Sequence, residues 1–332
     1  MPSLSTELTR RLGIRHPVVQ GGMHHVGLAP LAGAVSRAGA LGMITALSLR
    51  SPELLRDEIG KARSIAGADA PVGVNLTLLP TLVPPNYQAY ADVCVEERVP
   101  VIETAGHIQG LEPFVRLFKS KGAVIVHKCT QVRHARSAAK LGVDMISIDG
   151  FECAGHPGEA DVGNWVLAPQ AARELDVPFI VSGGVATGSQ LAAALALGAC
   201  GVNMGTRFMA TTEAPIHDNV KRAIVQGGAD STVLVMRTMR NTERVMNNAA
   251  AREVVRLEKQ FPGDFSKVKD LVAGNVYRKV FHETGDVDEG VWSAGLSIAL
   301  IDSVVPVQEL VDGMVAEATD IITKRLASMV AA

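Results

Sequence analysis

Polar residues able to do chemistry stand at the ends of short apolar runs along this chain. Lys128 closes the run Val126-His127-Lys128, and Asp149 closes the run from Met145. Gln20-Gly21-Gly22-Met23 and Asn75 stand at two earlier run ends. His156 lies in the glycine-rich stretch from Gly150 to Glu159 that follows Asp149. A lysine or aspartate in apolar surroundings is costly unless it is paired or ligand-bound. Each of these residues alone is accounted for as a satisfied structural group, but several converging on one face point to a site. Lys128 admits two chemistries. It could form a Schiff base with a carbonyl, as in barrel aldolases, or place a fixed positive charge beside an anion such as a reduced flavin ring. His156 is the natural acid/base or hydrogen-bond donor. Glu152 and Glu159, in the same loop, suit capping or ion-pair roles.

A second constellation could hold an anion. Ser182-Gly183-Gly184 follows the run Phe179-Ile180-Val181, and Gly205-Thr206 follows Gly201 to Met204, with a helical stretch from about Gly188 to Leu197 between them. Glycine-bearing turns after the last two strands of a (β/α)8 barrel are its usual phosphate cradle. Glycines let backbone N–H groups approach an anion, and the N-terminus of the helix after the first turn is expected to add a favourable dipole.

The elements that must position these residues alternate strictly. Eight apolar runs begin near Pro17, Leu41, Val72, Val101, Ala123, Met145, Phe179 and Gly201, with helical stretches such as Ser51–Ala66 and Gln131–Leu141 between them. Short continuous apolar runs suit parallel strands buried on both faces. Eight strand–helix repeats predict an α/β fold, a closed (β/α)8 TIM barrel. The strands are used up near Phe208. Residues 211–299 read as a smaller, mostly helical insertion over the barrel mouth, with the barrel formed by 1–210 and 300–332. The stretch from Pro306 to about Met329 reads as the eighth barrel helix. Trp292 reads as core rather than as a wall of the mouth.

Composition excludes several function classes. A net charge of −2 supplies no basic surface for nucleic acid, and 4% aromatic residues supply few base-stacking platforms. No apolar window is long enough for a membrane helix, so a soluble cytoplasmic protein is expected. Cys94, Cys129, Cys153 and Cys200 show no C-x-x-C and read as free thiols. His16, His24, His25 and His127 are too scattered for a metal set. No G-x-G-x-x-G follows the first run and no G-x-x-x-x-G-K-[ST] occurs, so Rossmann and P-loop nucleotide sites are unsupported. The oligomeric state is not legible.

HPVVQGGM, GVNLTLLP, SIDGFECAGHPGE, SGGVATG and NMGTRF, in this order and spacing, resemble the flavin-dependent nitronate monooxygenase family, also called 2-nitropropane dioxygenase-like. The resemblance runs through nearly the whole chain. It implies an FMN-bound barrel with a small extra domain. FMN contacts would fall on Gly22, Met23, Asn75, Lys128, Asp149, Gly150 and Gly155. The phosphate would sit on Ser182, Gly183, Gly184, Gly205 and Thr206, and His156 would face the flavin. Thr77 to Pro80, GFECAGHPGE and Trp292 to Gly295 resemble a branch of NADH:quinone reductases. The expected reaction is therefore two-electron transfer from NADH to a quinone. Oxidation of alkyl nitronates with O2 is the alternative, and a flavin enoyl-reductase or a Lys128 aldolase ranks lower.

Overall fold

Each of the eight apolar runs forms a strand. The computed structural model describes residues 4–78, 84–106 and 108–330, and in it the strands are β1 (Val18–Gln20), β2 (Gly42–Thr45), β3 (Val72–Leu78), β4 (Val101–Gly106), β5 (Val124–Cys129), β6 (Met145–Asp149), β7 (Phe179–Ser182) and β8 (Val202–Met204). All pair in parallel in the order β1-β8-β7-β6-β5-β4-β3-β2. The two ends of that row meet. The Gln20 amide donates to the Leu41 carbonyl at 2.9 Å and the Leu41 amide to the Val18 carbonyl at 3.0 Å, so the sheet closes into a (β/α)8 barrel. Helices follow the strands, as expected from the sequence; Ser51 caps Pro52–Ala66 through its side chain.

The strand pleat sorts the barrel interior into layers. Side chains two residues apart on a strand point the same way. Val19, Met43, Val101, Val126, Met145 and Ile180 form an apolar layer, closed below by Leu8, Leu12 and Ile14 of the N-terminal helix Glu7–Leu12 and its exit. Two residues further along the strands stand Thr45, Glu103, Lys128, Ser147 and Ser182, so one step up the pleat turns the interior from apolar to polar. The polar layer faces the carboxyl ends of the strands, where barrels of this kind carry their sites.

The final regular helix, Val307–Asp320, packs against the helices Gly188–Ala196 and Ala29–Arg37. That is the place of the eighth barrel helix. Within residues 211–299, where the sequence pattern is mostly helical, lie the helices Asp218–Val225, Ala249–Gln260 and Gly274–Lys279. The segment also holds an antiparallel hairpin of β9 (Thr232–Val235) and β10 (Glu243–Met246). Its sequence carries no Asn-Gly turn, and two four-residue strands leave little alternation to read. The segment has a small core of its own, including Val235, Val245, Val254 and Val291. Among the described residues no helix is long and apolar enough to cross a membrane.

Trp292 is fully buried, with its indole N–H donating to the Val287 carbonyl at 3.0 Å and its ring packed edge-on to Phe281. Deleting so large a buried side chain costs about 3–5 kcal/mol. Trp292→Ala is expected to lose that much stability in urea unfolding, whereas a loss below about 1 kcal/mol would mean that the ring is not part of the packed core.

Candidate active site

The polar layer is organised around a carboxylate that the sequence reading passed over. Glu103, on β4, is fully buried. One of its oxygens accepts the Gly22 amide at 2.9 Å and the Asn75 side-chain amide at 2.7 Å. The other accepts the side-chain amide of Asn203, on β8, at 2.9 Å. Asn203 also donates to the Ser147 hydroxyl at 3.2 Å, which reaches Asp149 at 3.3 Å. Four strand ends are thus tied through one carboxylate. The signal was an acid in the middle of the apolar run Val101-Ile102-Glu103, two residues above a core valine.

Lys128 and Asp149 meet as their strand ends predict. The ammonium stands 3.7 Å from the carboxylate, and the two side chains are 20% and 10% exposed. Burial disfavours the Lys128 charge, but Asp149 and then Glu103 outweigh it and hold the ammonium above the ordinary lysine range. Burial pushes the Asp149 carboxyl up, against the opposing pull of Lys128 and a hydrogen bond from Ser182. A Schiff-base lysine needs its neutral amine. This environment keeps the cation instead.

Backbone fits closely around this network. A side chain at Gly22 would put its Cβ 2.2 Å from Asn75 Cγ, and one at Gly150 would meet Glu152 Oε2 at 2.4 Å. The Gly22 amide is spent on Glu103 and the Met23 amide on Thr45 Oγ1 at 2.8 Å. Those two residues therefore bring shape rather than free donors.

The turns after β7 and β8 are different. Gly183 and Gly184 have φ of 87° and 80°, a conformation glycine adopts readily. Among the described residues, the amides of Gly183, Gly184, Gly205 and Thr206 have no protein acceptor. Four such donors at adjacent strand ends leave N–H groups available to an anionic group. The next helix offers few free amides. At the start of Gly188–Ala196, Gln190 Oε1 takes the Ala186 and Thr187 amides, Thr187 Oγ1 takes the Gln190 amide, and Glu317 takes the Gly188 amide at 2.8 Å. Most of that helix end is taken by the chain's own groups, so the turns supply the larger set of free donors.

The loop after β6 is pinned rather than free. Gly155 pairs with Arg244 of β10 through amide–carbonyl bonds of 3.0 and 2.6 Å, and the Arg244 guanidinium donates to the Phe151 carbonyl and lies over the Phe151 ring. Glu159 accepts the amide and hydroxyl of Thr242, while Glu152 accepts the Asn164 amide at the start of helix Asn164–Glu174. Both glutamates thus take anchoring roles. His156 is exposed in this loop, whereas Asn75, Asp149 and Ser182 are buried and Lys128 is partly buried. The Trp292-to-Gly295 stretch ties the segment to the β8 turn. The Gly295 amide donates to Thr206 Oγ1 at 2.9 Å, and the Leu296 amide to the Glu152 carbonyl. After β1, His24, His25 and Tyr277 group their rings, with His24 and Tyr277 stacked at 6.3 Å. Of the stretch Thr77 to Pro80, Leu79 and Pro80 lie outside the described residues.

A family model, nitronate monooxygenase, matches residues 5–317. The chain belongs to the nitronate monooxygenase family. This makes it an oxidoreductase of a flavin-using family. It is 29% identical to a 5-hydroxy-7a-methyl-1-oxo-octahydro-1H-indene-4-carboxyl-CoA dehydrogenase of Rhodococcus jostii, covering 96% of this chain and 97% of that one. It is 28% identical to a probable nitronate monooxygenase of Staphylococcus haemolyticus, covering 96% and 98%. Among solved structures, FabK from Thermotoga maritima superposes with a TM-score of 0.90 at 32% identity, covering 99% of this chain and all of that one. Proteins similar to this chain thus bear names of different activities.

His127 points away from Lys128 on the next pleat, buried and hydrogen-bonded to Thr104 at 2.8 Å. Burial holds its ring neutral and pushes its pKa down to about 4 from 6.5, with Glu103 opposing. A depressed folded-state value stabilises the fold above the unfolded value and is lost as pH falls through the folded one. The wild type should therefore lose roughly 3 kcal/mol from this residue between pH 6.5 and 4. His127→Gln is expected to remove that part of the acid sensitivity in urea unfolding. An unchanged pH profile would show that the imidazole is not held neutral by the fold.

Proposed function

We propose that the protein is an FMN-dependent NADH:quinone reductase, acting by ping-pong two-electron transfer. The observation that carries the flavin is the pairing of four acceptor-free turn amides with a partly buried lysine held cationic at another strand end. The first group suits a single phosphate, which FMN has. The second suits the negative charge that a flavin ring gains on reduction. When bound, the flavin supplies two-electron transfer between donor and acceptor.

The chain's residues do the rest. Gly183, Gly184, Gly205 and Thr206 hold the phosphate, with Ser182 beside them. Gly22, Met23, Asn75, Gly150 and Gly155 shape the ring's surroundings. Lys128 offers a positive charge, and Asp149 and Glu103 favour its charged form. His156, exposed on its loop, donates a ring N–H to the quinone oxygen. NADH and then the quinone occupy the same space in turn. Residues 211–299 form the inserted unit, and their tie to the β8 turn at Gly295 couples that unit to the phosphate.

NADH and quinone are favoured by the Thr77-to-Pro80, GFECAGHPGE and Trp292-to-Gly295 stretches. The His24, His25 and Tyr277 rings support them, since flat faces beside the β1 end suit a flat ring. Oxidation of alkyl nitronates with O2 is the second reading, favoured by the family match and the staphylococcal relative. Anaerobic stopped-flow mixing separates the two. NADH is expected to bleach the flavin absorbance and benzoquinone to restore it. Bleaching by a preformed alkyl nitronate but not by NADH would overturn the quinone reading in favour of the second.

A further inference from the structure

Asn164 occupies the first turn of helix Asn164–Glu174, and its side chain is directed at the β7 turn rather than at its own helix. It is 8% exposed. Its side-chain nitrogen donates to two successive backbone carbonyls, Ser182 at 2.7 Å and Gly183 at 3.0 Å. Among the described residues there is no cis peptide bond. In a planar trans peptide the carbonyl and the following N–H point in opposite directions. Drawing the carbonyls of residues 182 and 183 onto one nitrogen therefore turns the amides of Gly183 and Gly184 the other way, side by side. Those are two of the four amides that lack a protein acceptor.

Other contacts fix Asn164 in this pose. Both oxygens of Glu152 accept its backbone amide, at 3.0 and 3.1 Å. A Cβ at Gly150 would meet Asn164 Cγ at 2.5 Å, and a Cβ at Gly183 would meet Cys153 Cβ at 2.5 Å. The side-chain oxygen of Asn164 is buried with no partner. The orientation of its amide group is thus set by the two bonds its nitrogen makes to the turn. The Glu152 carbonyl in turn accepts the Leu296 amide, so the same glutamate joins the Asn164 helix to the inserted segment.

We infer that Asn164, braced by Glu152, is a positioning residue that sets the β7 turn with its amides facing the anion. It acts on the phosphate through the turn and touches no reacting atom. Its contribution belongs to the phosphate end of the ligand alone. The inference rests on the flavin reading, and the test keeps the two apart.

The experiment is titration of flavin-stripped full-length protein with FMN and, separately, with riboflavin, which lacks the phosphate. Asn164→Ala removes the donor at a helix position that tolerates alanine. Asn164→Asp keeps the shape and removes both donor hydrogens, so a folding defect in one variant does not end the test. The expected result is a ten- to hundredfold weaker FMN Kd with a riboflavin Kd within about twofold of wild type. Equal loss for both ligands would show a merely structural role and overturn the inference, as would FMN binding unchanged in both variants. If wild-type protein bound neither ligand, the flavin reading itself would fall.

Discussion

A single buried carboxylate governs the mouth of this barrel. Glu103 takes hydrogen bonds from Gly22, just past β1, and from Asn75 and Asn203 within β3 and β8. A buried anion without partners is too costly to keep. The donors must therefore converge, and convergence fixes the register of the strand ends. The requirement reaches the rest of the site. Asn203 passes it to Ser147 and Asp149, and Asp149 pairs with Lys128. Glu103 and Asp149 together hold Lys128 cationic against its burial. The positive charge offered to a ligand is thus a consequence of how the barrel satisfies its own interior.

The second constraint is how the segment from β9 to Leu296 is tied down. Arg244 and Thr242 of that segment are engaged with Gly155 and Glu159, and Gly295 donates to Thr206. Gly295 leaves no room for a side chain, because a Cβ there would come within 3.0 Å of the Glu152 carbonyl. The loop after β6, the turn after β8 and the segment therefore form one hydrogen-bonded unit. Through Glu152 it extends to Asn164 and the turn after β7.

Much of this was legible in the sequence because parallel strands buried on both faces leave a plain mark. The runs near Leu41, Val72, Val101 and Met145 became strands at nearly the positions read. Lys128 and Asp149 were visible because a charge at the end of such a run needs a reason. Glu103 carries the same mark inside a run and was passed over there. Asn164 left no signal, since an asparagine at the start of a helix reads as an ordinary capping residue. The β9–β10 hairpin was hidden by its short strands. The capped start of Gly188–Ala196 could not be foreseen, because Glu317 reaches it from 129 residues away in sequence.

The central claim is that the turns after β7 and β8 hold the one phosphate of FMN. The direct measurement is acid release of the flavin from purified protein, followed by chromatography and quantitation against protein. The account predicts one FMN per chain, released without covalent linkage. Recovery of FAD, or a colourless protein that takes up no added FMN, would contradict it.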